Sequence, residues 1–392
     1  MPLVPFIEEN AAEMRAIFED LHAHPEIGFE EVRTAGIVAA KLREWGFDEV
    51  HEKIGTTGVV GVLKGKGGGN RRIGLRADMD ALPMPEETGL PYASKNPKAM
   101  HACGHDGHTT MLLGAAQYLA ASREFDGQVV FIFQPAEEGL GGARRMLQEG
   151  LFERFPCDEI YGMHNAPLQE TGKALMRPGK MMAGASFFDI RLTGKGTHAA
   201  QPHHGIDILV IGAELIGQLQ TIVSRNVDPL KPCVVSCTQF HTGTAYNIVP
   251  ETAHITGTVR YFHHDVIALV EERMKTLCDG IAKGYGIKAE VELRNAFDVL
   301  DNDPALTEDY LAAAADVLGA ENVSAEMPQI MGSEDFADMM AVVPGAYINV
   351  AHSGPAMVHN SKFVLDPATL PIGSSIYARI VERRMPLNKE AA

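Results

Sequence analysis

The pattern of apolar runs changes character twice along this chain, and that change limits the folds open to it more than any other feature. Short β-like runs at Val59–Leu63, Arg72–Ala77, Val129–Phe133 and Ile160–Met163 alternate with helix-length stretches. The helical stretches are Pro5–His22, Val32–Trp45 (ended by Gly46) and the small-residue-rich Gly107–Ala121. Strands alternating with helices imply an α/β layer covered on both faces. In the middle the order becomes strand Ser186–Leu192, helix Ile206–Val223, strands Val234–Phe240 and His254–Tyr261, helix Val266–Lys283 and strand Lys288–Leu293. That β-α-β-β-α-β order is the ferredoxin-like split unit. The first pattern then returns, with helices Ala305–Leu318 and Pro367–Arg384 and a strand Ala346–Ala351 able to rejoin the first sheet. The expected organisation is an α/β domain built from residues 1–182 and 296–392, interrupted by a lid domain at 183–295.

A chain of 392 residues accommodates two such domains. With 34 Lys+Arg against 51 Asp+Glu the formal charge is −17, which repels phosphate backbones and anionic bilayers. No nucleic-acid partner is expected. No uninterrupted apolar run approaches the roughly 18–20 residues of a membrane span, and the opening MPLVPFIEENAAEMR lacks the basic-then-apolar order of a secretory signal. A cytoplasmic protein without a membrane partner is the expectation. The five cysteines (Cys103, Cys157, Cys233, Cys237 and Cys278) are odd in number and scattered, unlike a disulfide framework. Cys233 and Cys237 lie in an apolar strand and are expected to pack in the core. Cys103 differs, because histidines crowd around it.

Four fragments fall where strands end. They are Met100–His108 (MHACGHDGH) before the Gly107 helix, Gln134–Gly139 (QPAEEG) after Val129–Phe133, Gly162–Asn165 (GMHN) at the end of Ile160–Met163, and Val358–Asn360 (VHN) beyond Ala346–Ala351. Ligands of open α/β sheets gather beyond the carboxyl ends of strands, so the four can converge on one crevice. Thiolate, imidazole and carboxylate are the ligand types of zinc-like cations. Pro135 ends its strand, and Glu137 and Glu138 then point in diverging directions. One carboxylate can ligate while its neighbour stays free as a base, the division of labour that amide hydrolysis needs. Singly, a lone His is more often structural than a ligand, and an EE pair before Gly is commonly a solvated turn. The metal site is favoured by the four fragments together.

These strings resemble the aminoacylase/carboxypeptidase-like metallo-amidohydrolases, in the branch that holds hippurate hydrolases and plant auxin-conjugate hydrolases. The resemblance runs through HPEIGFEE from His24, RADMDALP from Arg76, MHACGHDGHT, FQPAEEGLGGA, GMHNAP, GKGTHAAQPHHGID, YNIVP, SEDFA and VHN. It implies a zinc-peptidase-like catalytic domain with a mixed sheet and an inserted ferredoxin-like domain serving as lid and dimerisation module. It further implies two divalent metal ions, zinc or manganese with cobalt or nickel as alternatives. Carried over by position, Cys103, His105, Glu138, His164 and His359 become metal ligands and Glu137 the general acid/base. Where the wider family has a ligating H-x-D, this chain has Arg76-Ala77-Asp78, so a histidine is lost and Cys103 compensates. Asp78 then either orients a ligand or forms a core-strand salt bridge with Arg76.

Within the inserted domain the resemblance makes His198 an oxyanion donor, which reaches the reaction centre from a partner subunit in similar enzymes. A homodimer or higher homo-oligomer is implied. Asn247 and Arg260 match positions that grip a substrate carboxylate, with a surface ion pair as the other explanation for Arg260. Gly194–Ala199 (GKGTHA) satisfies a dinucleotide-binding spacing, but Pro202 interrupts the helix that must follow. GKGGGN has no P-loop Lys-Ser/Thr, and the chain has no G-x-S-x-G elbow. The expected activity is hydrolysis of N-acetyl, N-benzoyl or aryl-acetyl amino acids, with a dipeptidase or carboxypeptidase as the alternative.

Overall fold

The structure is a computed structural model that describes residues 2–387. It divides into two compact units, one of Met1–Met181, Asp301–Pro328 and Asp335–Ala392, the other of Met182–Leu300 with Gln329–Glu334. The second unit thus includes a short return segment, 329–334, that lies outside the span 183–295 read from the sequence.

The first unit is built on an eight-stranded sheet. Its order is Glu49–Ile54, Gly58–Lys64, Gln128–Gln134, Arg72–Asp78, Glu159–Ala166, Gly345–Ala351, Ala174–Leu175 and Val323–Ser324. The central four strands run parallel, with Arg72–Asp78 between Gln128–Gln134 and Glu159–Ala166, and Gly345–Ala351 beside the latter. The flanking strands Glu49–Ile54, Gly58–Lys64 and Ala174–Leu175 pair antiparallel, which makes the sheet mixed. Central strands such as Gly345–Ala351 are buried at every position, as expected when helices cover both faces. Because the four central strands share a direction, Asp78, Gln134, Ala166 and Ala351 all end on one edge. Every fragment singled out above lies at or just past that edge.

Two helices differ from the sequence expectation in ways that matter. The segment Pro5–His22 is broken at Asn10, whose side-chain amide donates to the Phe6 carbonyl (2.8 Å) and ends the first helix. The helix read as Gly107–Ala121 begins two residues earlier and runs His105–Ser122. Gly104 precedes it at φ +92°, a left-handed conformation suited to glycine. That early start puts His105 on the rigid first turn. The strand Glu49–Ile54 went unread because its EVHEKI sequence is polar, as is common on a sheet edge.

In the second unit, Gly184–Thr193, Cys233–Thr242, Thr252–Tyr261 and Lys288–Phe297 form an antiparallel sheet. Its spatial order is second-third-first-fourth, and helices Ile208–Thr221 and His264–Tyr285 pack on it. This is the ferredoxin-like arrangement. Strand alternation places Phe188, Ile190, Leu192, Ala253, Ile255, Val259 and Tyr261 in one core with Ile211, Leu215, Leu219, Val270 and Met274 of the helices. Cys233 and Cys237 pack against that core and are free thiols.

The helix Ile208–Asn226, whose last turn is π-helical, is long and apolar enough by length and composition to cross a bilayer. Its apolar run is interrupted by Glu214 and two glutamines, Gln218 and Gln220. Its Ile208, Ile211, Leu215, Leu219 and Ile222 face lies in the unit's own core, which is how an amphipathic core helix behaves. Ile255→Ala empties the centre of this core (0% exposed). It is expected to cost about 2–5 kcal/mol, read from the denaturant midpoint of this unit's transition.

Candidate metal centre

Each fragment reaches the sheet edge on a rigid support. His105 opens its helix, and His164 lies within the strand Glu159–Ala166. Glu137 and Glu138 follow the Pro135 that ends Gln128–Gln134. His359 adopts φ +62°, rare for a residue with a side chain, and its backbone N–H donates to the Ala102 carbonyl (2.7 Å). That bond ties the last fragment onto the first.

The side chains then meet. Cys103 Sγ lies 3.3 Å from His164 Nε2, and His359 Nε2 lies 3.2 Å from Glu138 Oε1. His105 Nε2 is 4.0 Å from the same oxygen. Potential ligand atoms of Cys103, His105 and His164 all fall within 4.8 Å of one another, as do those of Cys103, Glu138 and His359, and those of His105, Glu137 and Glu138. The three triads share members, so five candidate ligands and Glu137 surround one small volume.

Hydrogen bonding shows what that volume suits. His164 Nδ1 lies 2.6 Å from the Asn165 carbonyl and so carries the proton, which leaves Nε2 with a lone pair toward Cys103. His105 Nδ1 lies 3.2 Å from Asp80 Oδ1, while its Nε2 is buried without a hydrogen-bond partner. A buried, orphaned imidazole nitrogen whose other nitrogen is bonded to a carboxylate is the pattern of a metal-ligating histidine. Burial lowers the His164 pKa to about 3 and keeps the ring neutral. Burial works against the charged form of Glu138, but His359 and His105 hold its carboxyl below the ordinary value. Burial pushes the Cys103 thiol well up; a divalent cation reverses that preference, because a coordinating thiol is deprotonated outright. The donor set of one sulfur, three nitrogens and one carboxylate fits a cation of the zinc type.

Several residues that sequence reasoning did not single out hold this arrangement. Asp80 bonds His105 with one oxygen and accepts the Glu138 backbone N–H with the other (3.0 Å). Its signal was present in RADMDALP, since Asp80 lies two residues past Asp78 and alternate residues of an extended chain share a face. Of the two descriptions given above, Asp78 meets that of the core-strand salt bridge. It forms the salt bridge with Arg76 Nη1 (2.7 Å), but it is 3.9 Å from His105 and bonds His108 Nδ1 instead (2.7 Å). Burial opposes its charge, yet His105, His108 and Arg76 keep its pKa well below the usual value. His108 Nε2 in turn accepts the Asn165 backbone N–H (3.0 Å), and the Asn165 amide donates to the Cys103 carbonyl (2.5 Å). Arg76 also bonds Gln134 (2.9 Å) and Asp335 (3.1 Å). Near the start of the ligand-bearing helix, buried His22 is held between Asp106 (2.7 Å) and Glu86 (3.2 Å). Burial disfavours its charge, but the two carboxylates raise its pKa to about 10.

The remaining candidates belong to the second unit. His198 and Ile248 are register partners in a two-stranded ribbon, and the Asn247 carbonyl accepts the Ala199 N–H (2.9 Å), so His198 and Asn247 are close neighbours. His198 Nδ1 accepts the Ala200 N–H (3.1 Å), which leaves Nε2 as the donor of a neutral, exposed ring. Arg260 is half-buried and donates to Thr258 Oγ1 (2.6 Å). Among the described residues no carboxylate comes within ion-pair distance of it.

Residues 74–383 match the family model of peptidase family M20/M25/M40, and the chain belongs to that family. It is 42% identical to a hippurate hydrolase of Campylobacter jejuni, over 97% of this chain and 98% of that one. It is 39% identical to an N-acetylcysteine deacetylase of Bacillus subtilis, over 92% and 94% of the two chains. Among solved structures it is similar to a dinuclear metal-binding peptidase of the M20 family from Bacillus subtilis, with TM-score 0.83 and 33% identity over 95% and 98% of the chains.

Asp80→Ala removes the carboxylate behind His105 and the Glu138 backbone together. It is expected to weaken divalent-metal affinity by about 10–100-fold, measured by competition with a chromogenic chelator, while the thermal midpoint of the metal-free protein moves little.

Proposed function

We propose that this chain hydrolyses the amide bond of N-acyl amino acids, releasing a carboxylic acid and a free amino acid. It is a metal-dependent amidohydrolase. The observation that carries the proposal is the convergence of Cys103, His105, Glu138, His164 and His359 with a second buried carboxylate, Glu137, beside them. Relatives named for hippurate and N-acetylcysteine, and a dinuclear structural neighbour, support an acylated amino acid as substrate and two divalent ions as cofactors. Zinc or manganese suits the sulfur, nitrogen and carboxylate donors; cobalt and nickel take the same set.

Bound at this edge, such ions lower the pKa of a water and polarise a carbonyl. Glu137 accepts a proton from the attacking water and delivers it to the departing nitrogen. It is suited to this because it lies buried beside the candidate ligands, with Oε1 accepting the Asp335 backbone N–H (3.4 Å), while the neighbouring Glu138 is engaged with His359 and His105. His198, with Nε2–H available, donates to the oxyanion as charge builds on the carbonyl oxygen. Arg260, with no carboxylate within ion-pair distance among the described residues, and Asn247 hold the amino-acid carboxylate. The inserted unit is assigned the role of lid and dimerisation module, and the active species a homodimer or higher homo-oligomer. A reducing, cytoplasmic location belongs to the same proposal, since Cys103 ligates only as a thiol-derived thiolate.

Glu137→Gln is expected to keep its metal content and lose about 10²–10⁴-fold in kcat; near-normal kcat would remove Glu137 from the mechanism. Arg260→Ala is expected to raise KM most for substrates with a free carboxylate, and an equal loss on carboxyl-free amides would refute the clamp. A panel of N-acetyl, N-benzoyl and indole-acetyl amino acids beside dipeptides tests the substrate class. Preferential cleavage of dipeptides would move the assignment to a peptidase.

A further inference from the structure

Glu31 lies in the HPEIGFEE string, is completely buried, and takes no part in the site as described so far. Its two oxygens have separate partners. Oε1 accepts the Ala136 backbone N–H (2.8 Å), and Oε2 accepts the Thr57 hydroxyl (2.6 Å).

Ala136 is the residue between Pro135, which ends the strand, and Glu137. It is fully buried with φ +53°, a left-handed conformation that side chains rarely adopt. Such a conformation persists only where its surroundings over-determine it, and here three contacts do so. Glu31 holds the Ala136 N–H, the Gly142 N–H donates to the Ala136 carbonyl (3.0 Å), and Gly28 lies so close that a Cβ there would fall 2.9 Å from Ala136 Cα. Two residues on, Asp80 holds the Glu138 N–H. Buried carboxylates therefore grip the peptides on either side of Glu137.

We infer that Glu31 is a positioning residue for Glu137: by accepting the Ala136 N–H it holds the left-handed turn that aims the acid/base carboxylate at the metal centre. The inference rests on Glu137 being the acid/base. What the turn needs is an acceptor oxygen, not a charge. Burial pushes the Glu31 carboxyl up to about 7, so full ionisation at neutral pH is not what the fold secures there. Glutamine can supply the same oxygen to Ala136 and turn its amide to the Thr57 hydroxyl, which accepts as well as donates. Alanine can do neither.

The test uses the full-length, metal-loaded chain as wild type, Glu31→Ala, Glu31→Gln, Thr57→Val, Glu137→Gln and the Glu31→Ala/Glu137→Gln double variant. Hydrolysis of an N-acyl amino acid, metal content and thermal midpoint are measured for each. Glu31→Ala is expected to lower kcat about 10-fold or more with metal content unchanged and KM within about 2-fold, and Glu31→Gln to restore most of the rate. In the Glu137→Gln background, Glu31→Ala should cost less than about 2-fold more, because its target is already gone. Equal losses in Glu31→Ala and Glu31→Gln would overturn the inference, as would the same multiplicative loss with and without Glu137. If Glu137→Gln alone keeps its rate, the assignment of the acid/base has failed, and that outcome is read before the cycle is. Should Glu31→Ala not fold, Thr57→Val decides. It frees one oxygen of Glu31 and is expected to lower kcat about 3- to 10-fold; an unchanged kcat would count against the inference.

Discussion

Asp78, Asp80, Glu137 and Glu138 are crowded at one edge of a buried sheet, and everything else about the site follows from how that negative charge is tolerated. Withdrawing a carboxylate from water is costly unless each one is paired or hydrogen-bonded. Asp78 has Arg76 and His108; Asp80 has His105 and a backbone amide; Glu138 has His359. The fixed cation is Arg76, itself 1% exposed and bonded to Asp78, Asp335 and Gln134. Even so, His105 Nε2 is left buried without a hydrogen bond, 4.0 Å from Glu138 Oε1. His105 and Glu138 are placed to help hold a divalent cation, which would offset the carboxylate charge here. The pairings that make the edge tolerable also fix the tautomers and directions of the groups that would hold the ions.

The parallel centre of the sheet explains why the fragments converge. Four strands of common direction deliver residues near 78, 134, 166 and 351 to one side. In this light the departure from H-x-D is informative. Arg76 points into the protein and serves the second layer of contacts, and the orienting carboxylate for His105 comes from Asp80.

Much of this was legible in the sequence, and what was not has physical reasons. Buried strands such as Val129–Phe133 and Ala346–Ala351 are apolar runs, the second broken only by Asn349, so they are legible within a residue or two of their bounds. The β-α-β-β-α-β order was readable because each strand alternates and each helix has a single apolar stripe. The edge strand Glu49–Ile54 carried no such signal, and the two-residue strands carry too few residues to make a pattern. Among side chains, potential ligands announced themselves by chemical type. Glu31, His108 and Asp335 did not, because an outer contact is defined by what it touches and not by what it is. The start of the helix at His105 was missed for a related reason: Gly104 reads as a turn residue until its φ of +92° is known.

The pinning of His359 to the Ala102 carbonyl has a bearing on how the protein is made. Cys103, His105, Glu138 and His164 are all synthesised in the first half of the chain, whereas His359 emerges from the ribosome only after the whole ferredoxin-like unit and the Gly345–Ala351 strand have been translated. A nascent chain therefore exposes an incomplete donor set for most of its synthesis. The full set of candidate ligands is therefore assembled only once the strand Gly345–Ala351 has been made and has paired with Glu159–Ala166.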